Sequence, residues 1–151
     1  MEKALIITAL VIAVAGLGHC NNTRAADNYV SIDQIGTGNQ TSVAQDGSGN
    51  TATITTGTYS DVDYSVFSIV QQGNNKTASI EVKSGINNSA SIQQSGAGNH
   101  VASIQNLNGS GNSITISQDG SGNHEFNVIN GSGATNNGNT VTATQTGGIG
   151  E

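Results

Sequence analysis

The chain of 151 residues lacks proline and tryptophan, holds one cysteine, and has few aromatic (3%) or charged (9%) residues. Without proline, the backbone N–H groups stay available to hydrogen-bond ladders. With only 34% hydrophobic residues, an ordinary globular core would be thin. The low charge content excludes a highly charged disordered chain. A net charge of -6 argues against nucleic acid or an anionic membrane as partner.

Residues 1–25 are predicted to be a secretory signal peptide. Lys3 gives the start a positive charge, and Ala4–Leu17 is an apolar run too short for a comfortable membrane span. Thr23 and Ala25 are small residues at the spacing of a cleavage site. We therefore expect export of the chain.

Two alternatives apply to this segment, an uncleaved anchor and a lipoprotein signal that ends at Cys20. His19 is large for the residue before a lipid-modified cysteine. If cleavage removes Cys20, the mature domain 26–151 has no cysteine and can form no disulfide.

The rest of the chain repeats the motif Q-x-G-x-G-N, which predicts a series of tight turns. It occurs four times, with a looser copy at 71–76: Gln34–Asn39, Gln45–Asn50, Gln94–Asn99 and Gln118–Asn123. Glycine permits positive φ in such turns. The predicted turn glycines are Gly36, Gly47, Gly73, Gly96 and Gly120.

A second regularity places a Gln six residues after an Asn or Ser, and the second and fourth residues between them are usually apolar or small. This period of two predicts β-strands with one buried face. Asn and Gln share the parity of the apolar residues, so they are expected to point inward. These predicted inward positions, in which Ser65 stands for an Asn, are Asn28, Gln34, Asn39, Gln45, Asn50, Ser65, Gln71, Asn88, Gln94, Asn99, Gln105, Asn112, Gln118, Asn123, Asn139 and Gln145.

Two segments depart from this phase. After Asn123 the apolar residues Phe126 and Val128 are one position out of step, which indicates a bulge or a slipped register. After Asn99, Ile104 falls on the outward face. Both segments contain a histidine, and the expected role of each is that of a solvated surface residue.

The spacing predicts an all-β solenoid of about five rungs, each a strand, an arc and a second strand, which form two stacked parallel in-register sheets. Arcs of fixed length alternate with longer, variable ones, where a solenoid tolerates insertions. Stacked Asn and Gln amides can bond to their equivalents on neighbouring rungs. An unpartnered buried amide would cost roughly 1–3 kcal/mol, so the columns must be continuous.

The combined pattern S/N-x5-Q-x-G-x2-N-x5-Q resembles the curlin repeat of bacterial curli functional-amyloid subunits. The clearest copies are residues 28–45 and 88–105, and the resemblance spans about residues 28–147. It implies a secreted subunit that polymerises into fibres of biofilm matrix and mediates adhesion. It also implies two partners besides other copies of the chain, a minor nucleator subunit and a dedicated outer-membrane pore. The chain has no basic final repeat, which favours a major fibre subunit.

The segments Asn28–Gln34 and Thr140–Gln145 carry the same pattern as the interior and no capping residues. We therefore expect the last rung of one copy to template the first rung of the next, head to tail. Five aspartates are candidate gatekeepers that slow premature assembly by repulsion, or are simply solvated turn residues: Asp33, Asp46, Asp61, Asp63 and Asp119.

Two other solenoid functions stay open. Outward T-x-T rows, as at 51–55 and 140–144, are typical of ice-binding faces, and the loops at 46–50 and 119–123 resemble the opening of a calcium loop. An enzyme is not expected, because no catalytic triad, nucleophile elbow or phosphate loop is evident. Three scattered histidines give no metal spacing, so the sequence indicates no cofactor, metal or small-molecule substrate.

Overall fold

A computed structural model describes residues 10–15, 28–34, 39–56, 62–82, 85–106, 109–130 and 136–147, and each regular element in these ranges is a β-strand. The strands are β1 Leu10–Ala15, β2 Tyr29–Gln34, β3 Gln40–Asp46, β4 Thr51–Thr56, β5 Val62–Asp63, β6 Val66–Gln72, β7 Thr77–Val82, β8 Gly85–Ile86, β9 Ser89–Gln94, β10 His100–Asn106, β11 Gly109–Ser110, β12 Ser113–Gly120, β13 His124–Asn130, β14 Asn136–Asn137 and β15 Thr140–Gly147.

The long strands form two parallel sheets that face each other. The first sheet has the order β1-β3-β6-β9-β12-β15, and the second has the order β13-β10-β7-β4-β2. Four complete turns are formed by β3–β4, β6–β7, β9–β10 and β12–β13, with β2 before them and β15 after them. This arrangement confirms the predicted all-β solenoid with two parallel in-register sheets.

The two expected end strands lie in different sheets. β2 pairs with β4 in the second sheet, whereas β15 pairs with β12 in the first. Apart from β1, the solenoid therefore begins and ends with a single strand rather than a full rung.

A third, short sheet of order β14-β11-β8-β5 contains one two-residue strand from each of the four variable arcs. In every arc the residue after the two-residue strand has a positive φ: Tyr64 (54°), Asn87 (57°), Gly111 (68°) and Gly138 (69°). The next residue in each arc directly precedes a first-sheet strand. Arcs of unequal length thus enter the first sheet with the same geometry, and the central residues of the two longest arcs, at 57–61 and 131–135, lie outside the described ranges.

The core consists of stacked aliphatic residues between the two sheets. In the second sheet Ile54, Ile80 and Ile104 are aligned in register and fully buried. Ile69, Ile92 and Ile116 form the matching column of the first sheet. β-branched side chains fit this pleated, close-packed surface well, because their preferred rotamers pack against the residue above.

β1 comes from the predicted signal peptide and pairs in parallel with β3, from Leu10 opposite Thr41 to Ala15 opposite Asp46. It therefore covers the N-terminal edge of the first sheet in this structure. The remaining residues of 1–25 lie outside the described part of the chain, and the signal peptide stays a prediction. No helix long and apolar enough to cross a membrane is found among the residues described.

Candidate assembly site: polar columns along the solenoid

A continuous chain of glutamine side chains runs through the first sheet, one from each rung. The Nε2 of each glutamine donates to the Oε1 of the glutamine on the next rung. The bonds are Gln45 to Gln71 at 2.8 Å, Gln71 to Gln94 at 3.0 Å, Gln94 to Gln118 at 2.9 Å and Gln118 to Gln145 at 2.8 Å. The column is therefore directional, since every donor faces the C-terminal end.

The same Nε2 groups also tie the first sheet to the second. Each donates to a backbone carbonyl of the facing strand one rung earlier. The acceptors are Tyr29 for Gln45, Thr51 for Gln71, Thr77 for Gln94, Val101 for Gln118 and Glu125 for Gln145, at 2.9–3.2 Å. Each interior amide therefore satisfies both its N–H groups and its oxygen in a dry environment, where unmade bonds are costly.

The two ends of this column are complementary. At the N-terminal end, Oε1 of Gln45 is buried and has no hydrogen-bond partner. Val14 of β1 lies opposite Gln45 in register. At the other end, no glutamine follows Gln145 among the residues described. The column thus ends in an acceptor at Gln45 and in a donor group at Gln145.

A second column lies where each first-sheet segment begins and is formed by Asn39, Ser65, Asn88, Asn112 and Asn139. Each side-chain oxygen accepts the backbone N–H of the residue above. The distances are 3.0 Å from Ser65 to Asn39, 3.0 Å from Asn88 to Ser65, 3.4 Å from Asn112 to Asn88 and 3.2 Å from Asn139 to Asn112. These side chains thus continue the backbone ladder where the arc meets the strand.

A third column consists of the residues that precede or begin the second-sheet strands, and the type of side chain in it changes along the solenoid. It runs Asn28, Asn50, Lys76, His100 and His124, as the strand registers define. The Nδ2 of Asn28 donates to Gly47 O at 3.0 Å, and the Nδ2 of Asn50 donates to Gly73 O at 2.8 Å.

Lys76 takes over this donor function with an ammonium group. Its side chain is 0% exposed, and Nζ donates to Gly96 O at 2.8 Å and to Gly98 O at 3.0 Å. Burial lowers the pKa of Lys76, and the negative charge of Asp119 opposes that shift. A lysine is thus held inside the turn by carbonyl dipoles.

His100 follows Lys76 in the column and is also 0% exposed. Neither ring nitrogen makes a hydrogen bond of good geometry, and the ring lies 4.8 Å from that of His124, centroid to centroid. Burial lowers the pKa of His100, and the charge of Lys76 and then that of His124 act in the same direction. Backbone groups of Ser95 and Gly120 favour the charged form. The neutral imidazole is therefore the form that fits this site.

The structure corrects the predicted inward positions of two repeats. Asn99 and Asn123 are exposed, and the inward position is occupied by the next residue in each case, a buried His100 and a half-buried His124. Gln105 lies on the outer face, where its Nε2 donates to Oε2 of Glu81 at 3.2 Å. The physical reason is that a one-residue slip buries an apolar pair in each strand, Ala102 with Ile104 and Phe126 with Val128.

The glutamine column is confined to one sheet, which spacing alone did not reveal. Gln34 lies in β2 of the second sheet, opposite Thr56, and Thr56 lies opposite Val82. Thr56 is buried with its Oγ1 unpartnered, and Val82 is buried as well. At these two interior positions the second sheet therefore carries a small or an apolar side chain instead of an amide.

The turn glycines form a column of their own. Gly47, Gly73, Gly96 and Gly120 have φ values of 105°, 105°, 92° and 124°. A Cβ on Gly73 would lie 2.5 Å from Gly96 O, and on the other three it would clash with the glycine carbonyl of the next rung. Glycine is therefore required for close stacking as well as for φ. Sequence reasoning missed the last member, Gly147, and Gly36 lies outside the described residues.

The candidate gatekeeper aspartates are not brought together. Asp33 and Asp46 are exposed on strands of different sheets, and Asp63 lies in β5 opposite Ile86. Asp119 is exposed and accepts a hydrogen bond from Ser95 Oγ at 2.7 Å. Asp61 lies outside the described ranges. Within those ranges, no three His, Cys, Asp or Glu side chains are grouped as a metal site would require.

The threonine row of β4 is not extended as a regular grid. Thr51, Thr53 and Thr55 lie opposite Tyr29, Ser31 and Asp33 on one side, and opposite Thr77, Ser79 and Glu81 on the other. The charged side chains interrupt the pattern that a flat ice-binding face requires.

These features define a structural class: a parallel β-solenoid whose interior is a stack of equivalent amides, aliphatic side chains and glycine turns. A family model described as the curlin associated repeat matches residues 25–57 and 85–120. Two segments of the chain thus match the curlin associated repeat, a repeat whose fold and role are structural rather than enzymatic. The family points to a curli amyloid subunit. Comparison with curated proteins and with solved structures gave no match.

Proposed function

We propose that this chain is a secreted structural subunit that assembles head to tail into extracellular, curli-like functional amyloid fibres at the bacterial surface. The glutamine column supports this function above all other features. It is unidirectional and satisfied at every interior rung, and it ends in an acceptor at Gln45 and a donor at Gln145.

Stacking of copies would extend existing interactions without a new kind of contact. The rungs inside the molecule already repeat the contacts of a cross-β stack, with identical side chains above one another. The family resemblance adds the proposed setting: a biofilm matrix and adhesion, a minor nucleator subunit that starts the fibre, and a curli-type pore that exports the chain.

The direct test is fibre diffraction of the chain collected from the medium of a secreting host. We expect reflections at about 4.8 Å along the fibre and about 10 Å across it. A chain that stays monomeric at high concentration, without these reflections, would contradict the proposal.

Kinetics with single variants test the role of the column ends. Gln45→Ala and Gln145→Ala should each slow fibre elongation, followed by thioflavin fluorescence, because each removes one half of the hydrogen bond between copies. Gln93→Ala is the matched control, since Gln93 is exposed on the outer face of the same sheet. Equal rates for all three variants and the unmodified chain would exclude a role for the amide column in growth.

A further inference from the structure

The two sheets of the solenoid end at different levels. At the N-terminal end β3 and β4 form one rung, and β2 extends the second sheet one strand beyond that rung. At the C-terminal end β12 and β13 form one rung, and β15 extends the first sheet beyond it. Each end of the repeat region is therefore a step, and the two steps lie on opposite sheets.

We infer that, once residues 1–25 are removed, copies join by a lap joint in which β15 of one copy and β2 of the next face each other and form one shared rung. The inference rests on the proposed assembly into fibres. It differs from a direct stack of β15 on β2, which the fold excludes because these strands belong to different sheets. In the lap joint β15 pairs with β3 of the next copy, and β13 pairs with β2.

The internal register predicts which residues meet at the joint. Each first-sheet strand pairs with the next without a shift, so Gln145 would lie opposite Gln45 and Thr142 opposite Ser42. In the second sheet the same reasoning places Asn127 opposite Ser31. The joint thus continues both ladders in the register that operates inside the molecule.

The polar groups at the joint are matched. The buried Oε1 of Gln45 has no partner in this structure, and the Nε2 of Gln145 already makes its bond to the second sheet through Glu125 O. One further bond from Gln145 Nε2 to Gln45 Oε1 would give both amides the bonding of the interior glutamines. A buried amide oxygen without a hydrogen bond is destabilising, so a bond between Gln45 Oε1 and Gln145 Nε2 would stabilise the joint.

The position of β1 shows that the edge of β3 accepts a parallel in-register strand, because β1 occupies it. With β1 in place, the first sheet has six strands and the second has five. The N-terminal end is then level, since β1 lies beside β2, and it no longer matches the step at β15. The lap joint therefore requires that β1 leave the β3 edge.

Cross-linking distinguishes the lap joint from other stacks. All variants carry Cys20→Ser so that the introduced cysteines are the only ones. The pairs Ser42→Cys with Thr142→Cys, and Ser31→Cys with Asn127→Cys, should give covalent ladders of oligomers when fibres are treated with a short bis-maleimide. Within one copy the residues of each pair lie four rungs apart, about 19 Å, beyond such a reagent.

The swapped pair Ser31→Cys with Thr142→Cys is the matched control. Residues 31 and 142 lie on opposite outer faces, so fibres of this variant should stay uncross-linked. Cross-links in the swapped pair, or their absence in both expected pairs, would overturn the lap joint even though fibres form. If no fibres form in the unmodified chain, the proposed function fails as well, so the two failures are distinguishable.

Gly147 provides a second test without a cross-linker. A Cβ at Gly147 meets nothing within 4 Å in the single chain, whereas a Cβ at Gly120 clashes with Gly147 O. At the joint Gly147 would take the place below Gly47 of the next copy. Gly147→Ala should therefore leave the unfolding midpoint of the monomer unchanged and slow elongation about tenfold, as expected of a backbone contact that must shift.

Thr146→Ala is the control for this variant, because Thr146 is exposed on β15 beside Gly147. It should elongate at the rate of the unmodified chain. If Gly147→Ala also elongates at that rate, the glycine column does not continue between copies and the lap joint is wrong.

Discussion

At the scale of single residues, the buried amides of the first sheet are stable because every interior glutamine finds its partners on neighbouring strands. Gln71, Gln94 and Gln118 are wholly buried. Each donates one bond along the column, accepts one from the preceding glutamine and donates one across to the second sheet. A single amide hydrogen bond adds only modestly to the free energy of unfolding, but a buried amide without partners is strongly destabilising. The column therefore acts as a unit.

The middle of the column gives the clearest prediction for stability. Gln94→Ala removes the hydrogen bonds from Gln71 Nε2 and to Gln118 Oε1, and it opens a cavity between these two side chains. We expect a decrease in the free energy of unfolding of about 2–6 kcal/mol, from two unsatisfied buried groups at about 1–3 kcal/mol each. Urea titration followed by circular dichroism measures this difference.

The neighbouring Gln93→Ala is the matched control, because it deletes the same side chain from the exposed face. Its effect should stay within about 0.5 kcal/mol, as for other surface substitutions. Similar losses for both variants would mean that strand propensity, and not the amide column, accounts for the effect.

Much of this residue pattern could be predicted from the sequence, because Gln-x-Gly and the six-residue spacing are strict. Asn99 was placed wrongly because it completes the Q-x-G-x-G-N motif, although Ala102 and Ile104 favour the other parity. Burial of an isoleucine outweighs burial of an asparagine. The signal was present in the apolar residues, and it identifies His100 as the inward residue once their parity takes precedence over the motif.

At the scale of elements, β10 and β13 share a one-residue slip relative to β4 and β7. Each slipped strand begins with a histidine, and the two histidines follow Lys76 in the same column. Three groups that can carry positive charge thus lie in consecutive rungs. Asp119 is the acidic group that acts on Lys76.

This arrangement predicts that acid destabilises the C-terminal rungs. In the unfolded chain His100 titrates near the ordinary histidine pKa of about 6.5, whereas burial lowers its pKa in the folded chain. The folded state binds fewer protons, so the stability contributed by the neutral ring is lost as the pH falls below about 6.5. Urea midpoints measured between about pH 7.5 and pH 5 should therefore decrease.

A double variant, Asn99→His with His100→Asn, serves as the control because it keeps the composition and exchanges the two positions. Its inward residue would be an asparagine, as at Asn50, and its histidine would be exposed. The dependence on pH should become weaker. An unchanged dependence would show that His100 is not its source.

The short strands of the third sheet could not be predicted from the sequence. Each is two residues long, and no residue type is common to all four, as Val62–Asp63 and Gly109–Ser110 show. Their pairing follows from the strands on either side, which fix the height of each arc. Periodicity needs more residues than this to be visible.

At the scale of the whole molecule, residues 26–151 contribute five strands to each long sheet. A lap joint therefore advances the fibre by five rungs for each copy, which at about 4.8 Å per rung is about 24 Å. We expect a weak axial repeat at about this spacing in electron micrographs of fibres, in addition to the strand spacing. A repeat of six rungs, about 29 Å, would mean that an additional strand such as β1 stays in the fibre.

The overall architecture could be predicted well, and the form of its ends could not. Rung number and sheet parallelism follow from anchor spacing, because a repeat of nearly constant length leaves few ways to pair strands. Whether an end strand extends one sheet or the other depends on which arc of a rung comes first. The structure places β2 in the second sheet and β3 in the first, and the spacing of the anchors does not specify this assignment.

If copies join by the proposed lap joint, the register at both ends is that of the interior, and the number of turns in a copy does not affect its ability to join others. Duplication or loss of one whole turn would lengthen or shorten the monomer and leave both joining surfaces intact. Monomers of different lengths could then enter one filament, and unequal arcs would be carried on its flank without disturbing growth. The design thus lets an evolving gene change in size while its product stays compatible with older copies.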